Sequence, residues 1–291
     1  MKIGTVLFHA RPEAAILIHE KVLPVSVINH ELGLNFPLDL FDLINADKAF
    51  SKLKKLASEK LEGLLPEARD LNSLKILPPY RNPSKIWSIG LNYREHSDDL
   101  REKLPTEEPA SFMKPCSAII GSGDSIRIPD GIGRVTAEAE MGIIFGRSAR
   151  NVKQEEALDY VIGVVPVLDM TALDILLKNP RFLTRAKSYD TFFSFGPFIS
   201  TMDEIPDLPS LRVSTIRNGA VTHTDTVDHM TFSPEYLIAF HSRVFQFEPG
   251  DILSPGTPGA SEISPGDEMR CRLDIPGEPV LVNGVVAAMH R

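Results

Sequence analysis

Short apolar runs separated by polar turns set the rhythm of the chain. Near the N-terminus they cover residues 3–8, 14–19 and 22–27, a cadence that predicts a small antiparallel sheet. Over residues 47–61 the period changes. Phe50, Leu53, Leu56, Ala57 and Leu61 recur at helical spacing, while Lys52, Lys54, Lys55 and Lys60 fall between them. The spacing predicts an amphipathic helix with its lysines mainly in water.

Residues 77–85 read LPPYRNPSK. Three prolines remove backbone donors and favour extended conformations, so a domain boundary is expected here. This gives a small α+β domain over 1–77 and a second domain over 78–291. In the second, apolar runs at 86–90, 137–145, 160–167, 195–199, 211–216, 252–253, 268–275 and 280–286 are punctuated by Gly and Pro. They predict a mostly β body. The expected fold class is α+β, mostly β, with no internal repeat and no low-complexity segment.

Composition narrows the function. The chain has 291 residues, 43% of them hydrophobic and 24% charged, as expected of a soluble protein folded almost throughout. Its 31 Lys and Arg against 39 Asp and Glu give a net charge of −8, a poor match for nucleic acid. No run approaches the roughly 18 apolar residues of a membrane span, and no basic-then-apolar leader is seen. A cytoplasmic location is therefore expected. Cys116 and Cys271 stand far apart, which excludes a paired thiolate zinc site and predicts two buried free thiols.

The candidate chemistry is acidic. In a strand over 137–145, Glu138 and Glu140 project from one face, while Ala137, Ala139, Met141, Ile143 and Phe145 line the other. Two adjacent carboxylates repel unless one is protonated or a cation lies between them. Asp169 follows the run 160–168 and is expected at the strand end, where it could meet the pair. Three carboxylates without Cys or His favour a hard ion with oxygen ligands, Mg²⁺, Mn²⁺ or Ca²⁺. Spacing alone leaves a solvated Glu-x-Glu face as the alternative.

Six stretches add to this reading: SIGLNYREH at 88–96, FMKP at 112–115, Glu138-Ala139-Glu140, ALDYVIG at 157–163, KSYDTF at 187–192 and PGDILSPGTP at 249–258. Together, and in this order, they resemble the fumarylacetoacetate hydrolase family. The likeness covers roughly 80–285 and makes residues 1–77 similar to the smaller, variable domain of many members. It implies a mixed β-roll or sandwich body, a homodimer, and cleavage or rearrangement of small 2-oxo or 1,3-dicarbonyl acids. By position it implies metal ligation by Glu138, Glu140 and Asp169, and a catalytic Lys187 beside the substrate carboxylate or the developing enolate. The alternative for Lys187 is a surface lysine paired with Asp190.

Within the matching stretches, Tyr93, Lys114, Asp190, Gly256 and Thr257 are the expected substrate contacts. The Gly256-Thr257-Pro258 turn would offer backbone donors and a hydroxyl to a carboxylate. His96 and Asp99, three residues apart, form a candidate pair for activating water. Many members carry Glu where Asp99 stands, so Asp98 is an alternative partner, and a satisfied or solvent-facing His96 is the alternative to the pair. No phosphate loop, dinucleotide fingerprint or serine elbow is present.

One stretch departs from the family. After the metal Asp, many members continue with a small residue and Arg-Asp-x-Gln; here Leu173 and Leu176 replace the Arg and Gln, and Leu168 replaces a commonly polar residue. A strong carboxylate contact is thereby lost. Either Arg181 or Arg185 compensates, or the substrate is less acidic or more apolar, or activity has been lost. Three readings follow: a carbon–carbon hydrolase of acylpyruvate-like acids, a decarboxylase or lyase of a 2-oxo acid such as oxaloacetate, and a catalytically weak binding protein.

Overall fold

The computed structural model describes residues 1–46, 48–93 and 107–288. Its two longest strands, Val135–Phe145 and Val161–Ala172, pair antiparallel along nearly their whole length. Every residue of Val135–Phe145 is buried, because the strand has a core on each face. Ala137, Ala139, Met141, Ile143 and Phe145 enter one core with Leu168 and Met170, whereas Ile144 enters another with Val165, Val167, Phe193 and Ile252. Period-2 alternation assigns the faces correctly, and Glu138 and Glu140 share theirs with Ile144.

Among the described residues these strands lie within a 14-stranded mixed sheet, and a 5-stranded sheet packs against them. The second sheet contributes Val213, Met269, Cys271 and Leu273 to the first core. The fold is thus α+β, mostly β. At the N-terminus, Lys2–Phe8 pairs with Arg11–Ile18 on one side and with Phe198–Thr201 on the other, so the first strands extend the large sheet. Gly163 permits a close crossing there: a Cβ on it would lie 2.2 Å from the Ser200 carbonyl oxygen.

Three local expectations change. The run 22–27 divides into a strand, Lys21–Pro24, and a helix, Val25–Leu32, that buries Val25 and Ile28. Pro24 fixes the extended backbone just before the first turn. The 47–61 helix is shorter, Ala49–Glu59, and Leu61 is buried from a following 3-10 segment, Leu61–Glu67. Cys271 is buried as expected, but Cys116 is exposed, because it opens a 3-10 turn after Pro115 on the surface. Among the described residues no helix is long and apolar enough to cross a membrane.

Candidate metal centre

Register creates the site. Glu138 is the cross-strand partner of Asp169, and Thr136 that of Thr171, so their side chains leave the sheet on the same face. Asp169 lies inside the strand Val161–Ala172 and not at its end as expected; the apolar run stops at Leu168, but pairing continues to Ala172. Ligand oxygens of Glu138, Glu140 and Asp169 fall within 4.8 Å of one another. The residues are 8%, 1% and 0% exposed, which rules out the solvated-face alternative.

Neighbouring groups hold each carboxylate. The Thr171 and Thr136 hydroxyls donate to Glu138 Oε1 at 3.0 and 3.3 Å. The Ser254 hydroxyl and the Gly256 N–H, the latter at 3.0 Å, donate to Glu140 Oε2. Lys114, at the end of the strand Ala110–Lys114, donates to Asp169 Oδ1 at 2.6 Å and to the Met170 carbonyl at 3.0 Å. Lys187, closing the helix Leu183–Lys187, donates to Glu138 Oε2 at 2.8 Å and Asp169 Oδ2 at 2.9 Å. Its ammonium lies 4.8 Å from the Phe112 ring centroid.

Three carboxylates therefore meet two ammonium groups in a buried volume, where an unpaired charge is costly. Burial pushes Glu140 up to about 8, and Asp169 adds to the effect. Burial pulls Lys114 down to about 8, against the opposing pull of Asp169. For Lys187, burial disfavours the charge, but Asp169 and Glu138 outweigh it and raise its pKa. The set fits a divalent ion on two grounds. All three donors are oxygens, as Mg²⁺, Mn²⁺ and Ca²⁺ prefer, and a cationic group already lies between two of them.

The loop 255–259 is bent to deliver the Gly256 N–H. Gly256 has φ +109°, and a Cβ on it would meet Asn92 Cβ at 3.0 Å. Asn92 ties the parts together: its amide donates to the carbonyls of Pro255 and Phe232, and its oxygen accepts from the Phe232 N–H. This buried amide belongs to the SIGLNYREH stretch, where no sequence signal sets it apart from a surface Asn.

A cavity of about 300 Å³ opens over the carboxylates and is lined by Glu138, Glu140, Thr171, Lys187 and Thr257 among polar residues. Thr257 exchanges hydrogen bonds with Gly259, so its hydroxyl already has a partner. Other sequence candidates lie elsewhere. Lys114 stands behind Asp169, and Tyr93 is buried in the first core, its hydroxyl without a hydrogen-bond partner among the described residues. Asp190 is exposed and Lys187 is buried, which removes the surface-pair alternative. Arg181 and Arg185 are exposed and outside the cavity lining. His96 and Asp99 lie outside the described residues.

Comparisons with known proteins agree with this arrangement. The fumarylacetoacetate (FAA) hydrolase C-terminal family model matches residues 85–286. An uncharacterised protein of Archaeoglobus fulgidus is 38% identical over 205 residues, which cover 70% of this chain and 80% of that protein. A mitochondrial oxaloacetate tautomerase of Xenopus laevis is 35% identical over 212 residues, 70% of this chain and 66% of that one. The 4-hydroxyphenylacetate degradation bifunctional isomerase/decarboxylase of Escherichia coli is 33% identical over 232 residues, 78% of this chain but only 53% of that protein. In fold, the chain is similar to maleylpyruvate hydrolase of Sphingobium sp. SYK-6, solved with manganese(II) and pyruvate: TM-score 0.80, 24% identity, covering 99% of this chain and all of the other. Sequence, fold and the buried carboxylates converge, and the chain belongs to the fumarylacetoacetate hydrolase family.

Proposed function

We propose that this protein is a divalent-metal-dependent hydrolase that splits a carbon–carbon bond in a small acylpyruvate-like oxo-acid. The observation that carries the reading is the convergence of Glu138, Glu140 and Asp169 within 4.8 Å of one another with the Lys187 ammonium beside them, Glu138, Glu140 and Lys187 lining the cavity. A divalent ion held by the three carboxylates would supply Lewis-acid polarisation of the substrate's oxygens.

The chain's own groups do the rest. Lys187 provides a fixed positive charge where an enolate oxygen develops. Lys114 fixes Asp169 from behind, while Ser254 and the Gly256 N–H fix Glu140. Water adds to the acyl carbonyl, the bond to the neighbouring carbon breaks, and its electron pair passes into the enolate of the departing 2-oxo acid. A proton then returns to that carbon, leaving a carboxylic acid and a 2-oxo acid. His96 with Asp99 is the pair assigned to water activation, by position in the family. A homodimer and a cytoplasmic location complete the reading.

Decarboxylation at the same site is the second reading, supported by the Escherichia coli relative, whose name includes that activity. Assay of chelator-stripped protein with and without added Mn²⁺ or Mg²⁺, against a panel of acylpyruvates and oxaloacetate, tests both. Hydrolysis releases a second carboxylic acid and decarboxylation releases carbon dioxide. Undiminished turnover in metal-free buffer overturns both.

A further inference from the structure

The cavity floor is charged, but its walls are not. Beyond the carboxylates and Lys187, the main described lining is Ile89, Phe112, Leu173, Leu176, Leu177 and Leu183. Leu173, Leu176 and Leu177 occur at i, i+3 and i+4 on one short helix, Leu173–Lys178, so they form a face and not a scatter. Leu183 begins the helix that ends at Lys187 and faces the same space. Leu177 is 55% exposed, which carries this apolar face outward from the floor to solvent.

Cations are scarce along this wall. Among the described residues Lys187 is the only cation lining the cavity, and its ammonium is held by Glu138 and Asp169. The arginines near the leucine helix, Arg134, Arg181 and Arg185, do not line the cavity. Arg134 pairs with Asp174 at 2.7 Å, and Arg185 lines a separate depression with Gly133 and Lys178. A second carboxylate on the substrate tail would lose its hydration against leucine and find no counter-charge among the described residues of the wall. An alkyl or aryl tail would gain from the same contact, by about fourfold per methylene.

We infer that the substrate is a 2-oxo acid whose far end is uncharged and apolar, and that Leu173, Leu176 and Leu183 select it. The inference rests on the function proposed above and specifies its substrate class. The head group takes the carboxylate floor and Lys187, and the tail lies on the leucine wall. Oxaloacetate and maleylpyruvate, which end in a second carboxylate, are disfavoured.

N-alkyl oxamates test this without turnover, because they reproduce a 2-oxo acid head and carry no cleavable carbon–carbon bond. Titration calorimetry on Mn²⁺-loaded protein compares oxamate, its N-methyl to N-butyl derivatives, and an N-carboxyalkyl oxamate of matched length. Affinity is expected to rise about fourfold per methylene until the wall is covered. The carboxylate-ended analogue is expected to bind at least about tenfold more weakly than its alkyl counterpart. Leu173→Arg is expected to reverse that order. Leu176→Ala, which introduces no charge, is expected to weaken N-butyl oxamate more than oxamate itself. Binding of oxamate with equal or better affinity for the carboxylate-ended tail overturns the inference and leaves the proposed function standing. Failure of every oxamate to bind metal-loaded protein overturns both.

Discussion

Glu138 and Asp169 face each other across adjacent antiparallel strands, and the Lys187 ammonium lies within 2.9 Å of an oxygen on each. One lysine thus spans two strands at the position where a cation is needed. Lys114 approaches Asp169 from the other side, so this carboxylate is held between two buried ammonium groups. Replacing Asp169 by Asn leaves both lysines without their principal counter-charge. Urea denaturation of metal-free protein is expected to show a loss of about 3 kcal/mol.

Lys187→Met tests the same relationship from the opposite side. Without the ammonium, Glu138 and Asp169 repel in a buried site, and the metal-free variant is expected to lose about 3 kcal/mol. Saturating Mn²⁺ should restore part of that loss, so metal raises the melting temperature more in the variant than in the parent. Equal shifts in the two proteins would count against cation placement between these carboxylates.

Metal binding should itself stabilise the folded chain. At a free Mn²⁺ concentration about 100 times the dissociation constant, linkage gives about 2.7 kcal/mol. Glu138→Ala and Glu140→Gln are each expected to abolish that increment together with metal-dependent turnover. Thermal melts with Mn²⁺ and with excess chelator read the effect directly.

Gly256→Ala is expected to damage the site without touching a ligand. Its φ of +109° is unfavourable for any L side chain, and the new Cβ would press on Asn92. The strain costs about 1–3 kcal/mol. The N–H that holds Glu140 should shift with it, so weaker Mn²⁺ affinity is expected alongside the lower melting point.

A pH effect should appear far from the metal centre. Burial raises Glu278 from 4.5 to about 8, against the opposing Ser200 hydrogen bond, and its Oε1 has no partner among the described residues. The folded state therefore retains a proton that the unfolded state releases near 4.5. This contribution is full below that pH and is lost as pH rises through about 8. Glu278→Gln should match the parent at pH 5 and melt higher than it at pH 8; parallel pH profiles would refute the assignment.

The readability of the site from sequence divides along physical lines. Glu138 and Glu140 were legible because strand periodicity fixes which neighbours share a face, and the alternate residues are a clean apolar set. Their pairing with Asp169 was not. Register across 31 residues depends on where the chain turns, and the hydrophobic run ends before the pairing does. Lys114 carries the same letter as a surface lysine, and only the folded chain reveals it as a support for Asp169. The helix Pro234–Ser242 is absent from the expected elements although Ser233-Pro234-Glu235 carries a start signal, with the Ser233 hydroxyl accepting from the Tyr236 N–H. Tyr93, an expected substrate contact, is buried in the first core, where its backbone forms an antiparallel bridge with Met230.

The double burial of Val135–Phe145 has a consequence for how such a protein can diversify. Its carboxylates are rooted in a strand with a core on either side, where nearly every exchange disturbs packing. The leucines above them stand on a six-residue helix at the rim, partly open to water, where exchanges are cheap. Under the proposed function, reaction chemistry is anchored deep while substrate choice stays near the surface. A lineage built on this plan can change its diet by a few point substitutions without rebuilding its catalytic base.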